Sequence, residues 1–368
     1  MYTGNMGNYE LIINTCISDK SDSLNLSYKF LPEIPEQIKE LKWLKHLILR
    51  GNNITKINKN DLPPNLKSLD LSNNSITQLH KYDIPSNIEI LLLSHNQIKE
   101  FDGSYFDNIV EIDISNNILE KIIEFPKNIK RCNLSVNTLT NLPIINITME
   151  KLNVNNNELT KLPDTNENMI ELNVGFNHLK KLPKLSDSIE ILHIGNNEID
   201  VIEYLPQNLR ELTAFDNNLY TIKPELPAGL KMINVDNNEL TNMFELPTMI
   251  EKVSISNNKI RTLTDIPDSV IYFDCSDNYL TEIPIELEIR PNVFLDYKNN
   301  NISDSDTYYD ANEKQYPNIL YNNNYSYNSS YNPFSQKNHN TNSFTFYNDS
   351  KATDNNPYYI KNMNHISI

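Results

Sequence analysis

An asparagine returns every 20 to 22 residues through most of this 368-residue chain, always inside the same apolar frame. The frame reads apolar-x-x-apolar-x-apolar-x-x-Asn-x-apolar, as in LKSLDLSNNSI (66–76), MIELNVGFNHL (169–179) and IEKVSISNNKI (250–260). Its asparagines are Asn52, Asn74, Asn96, Asn117, Asn137, Asn157, Asn177, Asn197, Asn217, Asn238, Asn258, Asn278 and Asn300. A weaker copy, LNLSYKFL (24–31), precedes them with Lys29 in the asparagine slot, and NVFLDYKNNNI (292–302) closes the series. A repeat this short cannot bury its apolar face alone, so it must stack on its neighbours around one continuous core.

Within each copy, apolar residues at alternate positions predict a short strand with one buried face. Stacked strands then form a parallel sheet along one side. Twenty residues leave room for a strand and an extended return but not for a full helix. Proline in the return presets an extended, polyproline-like path. With strands about 4.8 Å apart, thirteen coils give a rod of roughly 60 Å. The asparagine marks the inward turn after the strand, where backbone groups lose their ladder partners. A carboxamide both donates and accepts, so a stack of asparagines can bridge adjacent coils. Aspartate could not donate, and leucine could do neither. The thirteen asparagines are therefore read as a structural ladder.

The frame resembles the leucine-rich repeat family, whose pattern is LxxLxLxxNxL. The short period, with Leu142-Pro143, Leu162-Pro163, Leu182-Pro183, Leu205-Pro206, Leu226-Pro227 and Leu246-Pro247, is similar to the 20-residue class found in bacterial effectors of the YopM type. The asparagine-rich composition, 60 residues of 368, also resembles that of giant-virus repeat proteins. The resemblance implies a leucine-rich repeat solenoid of the α/β class, a curved right-handed superhelix. Its parallel sheet would line the concave face, with extended or short helical segments on the convex side. We expect a cap at 1–23, the solenoid of about 13–14 repeats at 24–302, and a tail at 303–368.

The tail is rich in Asn, Tyr and Ser and holds ten of the twenty tyrosines. Its sparse aliphatic residues cannot offset the entropy of ordering, which predicts disorder. The segment PEIPEQIKELKWLKHL (32–47) suggests a short helical turn, with Trp43 packed near the cap.

The formal net charge of −16, with both signs interspersed, argues against a nucleic-acid partner and against an anionic membrane surface. No apolar run reaches the roughly 20 residues of a membrane span. Three cysteines make no disulfide framework, and the N-terminus lacks a classical signal peptide. Together these predict a reducing, cytoplasmic setting, inside a host cell if the chain is an effector. Seven histidines fall without metal-ligand spacing and no glycine loop cradles phosphate, so no cofactor, metal or catalytic residue is expected.

What remains is a surface. Outward positions of the strands carry Ile48, Asp70, Ile90, Leu92, Asp113, His193, Phe215, Met232 and Tyr272 as candidate partner contacts, all expected to face solvent. They predict a non-catalytic protein–protein interaction module, host-directed if the chain is an effector, whose concave face prefers a partner with a basic surface. The alternative is a substrate-recognition subunit or part of an enzyme, such as a ubiquitin-ligase-type effector. That reading needs a folded terminal domain, which the tail composition opposes.

Overall fold

A computed structural model of the chain describes residues 8–302, so the tail at 303–368 and the first seven residues of the expected cap lie outside it. The described chain forms a parallel-strand solenoid. Fourteen strands, Ser23–Asn25 through Phe294–Asp296, make one sheet in sequence order, each hydrogen-bonded to the next coil. All are three residues long, and their middle residues are in register. Leu172 of Glu171–Asn173 lies between Leu152 and Leu192, for example, and all three are buried. The one-face pattern of the sequence is thus a single file of apolar side chains down the core.

The returns contain little regular structure. They hold single 3-10 turns at Glu36–Glu40 and Gly103–Tyr105, a four-residue helix at Ile285–Glu288, and two pairs of two-residue strands. In the Leu-Pro motifs, Leu205 and Leu226 are buried, and Leu142, Leu162, Leu182 and Leu246 pack partly against the core.

Helix Asn8–Asp19 packs against the first strand. Ile13 and Cys16 are buried there, with Tyr9 and Ile12 partly covered, which is the spacing of one helical stripe. The helix ends in a Schellman turn. Lys20 takes φ +50° while the Ser21 N–H donates to the Cys16 carbonyl at 3.1 Å. Trp43 closes this end, its Nε1–H donating to the Ser21 carbonyl at 3.0 Å.

The asparagine ladder has the expected bonds. Asn177 Nδ2 donates to the carbonyls of Val174 and Gly175 in its own coil and of Val154 in the preceding one, each at 3.0 Å. Its Oδ1 accepts the Leu159 N–H at 2.9 Å. The scheme holds from Asn52, which accepts from Lys29 and Leu31, to Asn300, which accepts from Leu280.

Two further amide systems were not visible in the repeat pattern. On the return side, Asn65, Asn87, Asn108, Asn128 and Asn168 each donate Nδ2–H to a carbonyl of the preceding coil, at 2.7–3.2 Å. Ser188 and Ser269 make the same kind of link with hydroxyls. The second system lies immediately before each ladder residue, where the backbone is left-handed. Gly51 (φ +69°), Asn73, Asn116, Asn156, Asn196, Asn237, Asn257 and Asn299 occupy it. Asparagine and glycine tolerate that region better than other residues, which accounts for the many Asn-Asn pairs.

Val136 is the β-branched residue at this position, held at φ +56°, and Phe176, at +52°, is a bulky one. Val136→Asn should therefore stabilise the chain by about 1 kcal/mol, measured by urea unfolding. Destabilisation would mean that the packing of Val136 outweighs its backbone strain.

Candidate partner-binding face

The first and third residues of each strand point away from the core, and the residue after the second core position adds a third outward row. Strands lie about 4.8 Å apart, so a short side chain in the middle row is walled in by its neighbours in both adjacent coils. For several candidates this overturns the expected exposure. In this row Ile48, Asp70 and Asp113 are buried, as are Asn133, Thr213, Asn234 and Ser254, and Met232 is buried in the first row between Glu211 and Lys252.

The polar stripe also has local work. Asp70 Oδ1 accepts the Ser72 N–H, Asp113 Oδ1 accepts that of Ser115, and Asn133 Oδ1 that of Ser135, at 2.8–3.1 Å. Asn153, Asn173, Asn234, Asp274 and Asp296 repeat the bond to the residue two positions on. These Asx turns end the strands that carry them before the chain bends inward. Much of the acidic stripe is therefore a column of turn-forming residues.

Burial shifts these carboxyls. Asp113 is pushed up to about 6, against the hydrogen bonds from Ser115 that favour the ionised form. Asp236, which accepts from Ser254 Oγ and the Ser256 N–H, is likewise raised to about 6 by burial. Asp70 is raised by the same cause, and its Oδ2 has no hydrogen-bond partner. His193 is pushed down by burial, and its Nδ1 sits 2.8 Å from Thr213 Oγ1.

The first outward row carries its own charge pairs. Arg131 Nη2 and Nε reach Glu111 Oε2 at 2.8 and 3.1 Å, and Lys151 Nζ reaches Glu171 Oε2 at 2.9 Å. Further along, the Tyr272 and Phe294 rings stack with centroids 4.9 Å apart. Ile90 and Leu92 remain half-buried near the other end. In the third row, Phe215 lies flat over Gly195, where a Cβ would come within 2.7 Å of the ring. The absent side chain at 195 leaves the room that Phe215 occupies, a relation that only the coil register reveals.

Cys16, Cys132 and Cys275 are free thiols, buried, and each pushed up by burial. Among the described residues, no group of three or more His, Cys, Asp or Glu side chains is placed to hold a metal ion. No described helix is long and apolar enough to cross a membrane.

Comparison with known proteins agrees with this architecture. The Leucine Rich Repeat family model matches residues 65–86. No curated protein matches the chain. Among solved structures, YopM of Yersinia pestis, described as a leucine-rich effector protein, is similar at 24% identity and a TM-score of 0.64. That match covers 80% of this chain and 96% of that one. YopM of Yersinia enterocolitica is similar at 24% identity over 82% of this chain and 79% of that chain, with a TM-score of 0.50. A leucine-rich repeat protein of Leptospira interrogans matches at 22% identity and a TM-score of 0.53, over 80% and 94% of the two chains. At these identities the likeness concerns the fold, and the fold agrees with the repeat and its asparagine ladder: this chain is a leucine-rich repeat solenoid of the short-coil kind.

Proposed function

We propose that the chain is a non-catalytic protein–protein interaction module that receives its partner on the sheet face. Leucine-rich repeat solenoids generally mediate protein–protein contact, and among the described residues the face offers no convergent set of nucleophile, base and oxyanion donors. One observation carries the reading: large apolar side chains stand half-exposed on a backbone that cannot yield. Ile90 and Leu92 form one such point, and Phe215, seated on Gly195, forms another. Side chains already held in place lose little entropy on contact, and aromatic side chains such as Phe215 are enriched at protein interfaces.

The test is the double variant Leu92→Lys, Phe215→Lys, compared with the unaltered chain against a partner recovered from a native lysate. Binding should be lost while the circular-dichroism spectrum stays the same. Association of the unaltered chain should slow as salt rises. Normal binding by the double variant would move the interface to another surface.

A further inference from the structure

Each carboxylate of the first outward row meets a lysine or arginine in an adjacent coil, with one exception. Glu111 is met by Arg131 in the next strand, and Glu171 by Lys151 in the strand before. Glu211 stands between Ile191 and Met232, which are its register neighbours on either side and carry no charge. The nearest basic group is the ring of His193, whose Nε2 lies 3.9 Å away, beyond hydrogen-bond distance. Burial holds that imidazole towards its neutral form. Lys252 is two strands distant, about 10 Å along the sheet, and Glu171 is equally far on the other side.

We propose that Glu211 is the docking point for an arginine or lysine side chain of the protein partner. Its aliphatic stem would lie along Ile191 while its charged head pairs with the carboxylate. The inference rests on the sheet-face reading and narrows it. Asp70 and Asp113 are buried in their turns, while Glu111 and Glu171 are neutralised within the chain. Glu211 is the remaining first-row carboxylate, and neither strand beside its own carries a lysine or arginine. It is also short of a countercharge energetically. Burial, then Glu171, pushes its carboxyl up to about 7, and Lys252 only partly offsets them. An incoming guanidinium or ammonium would relieve that penalty. Half-buried Ile191 supplies the apolar flank that a long basic side chain covers with its methylenes.

The probe is an acetylated, amidated tetra-arginine peptide titrated into the full chain at low salt, with tetra-citrulline as its uncharged counterpart. The variants are Glu211→Gln and Glu251→Gln. The second removes the same charge from an exposed carboxylate already paired with Lys231 at 2.9 Å. Tetra-arginine should bind the unaltered chain and Glu251→Gln alike, and Glu211→Gln at least tenfold more weakly. Tetra-citrulline should not bind. Equal weakening by the two variants would reduce the effect to general attraction by an acidic protein and overturn the docking point. So would binding unchanged in Glu211→Gln. If the docking point fails while the Leu92, Phe215 double variant still loses its partner, the sheet-face reading stands. If Glu211→Gln abolishes peptide binding but the double variant binds its partner normally, the carboxylate still takes basic side chains, but the sheet-face reading falls and with it the partner's docking at Glu211.

Discussion

Asn177→Leu should cost the solenoid about 3 kcal/mol or more, because several buried groups lose their partner at once. The Leu159 N–H would lose its acceptor, and the carbonyls of Val154, Val174 and Gly175 would lose a shared donor. Each buried group left unpaired costs about 1–3 kcal/mol. Asn177→Asp should fare no better, since a carboxylate would face those three carbonyls with nothing to donate. Neighbouring Phe176 supplies the control. Its side chain is exposed and its φ is +52°, so Phe176→Asn should be neutral or stabilising. Urea unfolding of the two variants side by side separates the cases. Equal tolerance would mean that the ladder contributes nothing beyond its geometry.

The second large effect follows from buried carboxyls. Asp113 keeps its proton up to about pH 6 in the folded chain, whereas an unperturbed carboxyl releases it near 3.8. Between those values the folded state binds more protons than the unfolded state. Its contribution to stability is therefore present at acid pH and is lost as pH rises through about 6. Asp236 acts in the same direction. The chain should melt at a higher temperature at pH 5 than at pH 8. Asp113→Asn should stabilise it at pH 8 by about 1–3 kcal/mol, since each tenfold difference in proton affinity between folded and unfolded chain corresponds to about 1.4 kcal/mol. It should also flatten the pH dependence. The substitution is conservative in this setting, because Asn133, Asn153 and Asn173 already occupy the same row and accept the same backbone hydrogen bond. A less stable Asp113→Asn chain at pH 8 would contradict the burial assigned to this carboxyl.

The fold was legible because the repeat states its constraint thirteen times. Alternation in LNV fixes which side chains enter the core, and the asparagine fixes where the chain turns inward. Alternation says only that Asp70 and Asp113 point outward. How closely the adjacent coils cover them depends on strand spacing and neighbour size, so their burial could not be read from one copy. The pairing of Glu111 with Arg131 and of Lys151 with Glu171 needs register across about 20 residues. So does the seat of Phe215 on Gly195. The left-handed position before each ladder residue leaves a trace in the Asn-Asn pairs, which does not stand out in a chain this rich in asparagine. The site was thus legible as a face but not as particular side chains.

The most direct measurement of the ladder is hydrogen exchange of the asparagine side-chain amides, followed by NMR on the full chain. The carboxamides of Asn74, Asn96, Asn117, Asn137, Asn157, Asn177, Asn197, Asn217, Asn238, Asn258 and Asn278 are buried and donate to two coils. They should exchange far more slowly than those of exposed Asn141 and Asn218. Exchange at the rate of the exposed pair would mean that the coils are not joined through these side chains.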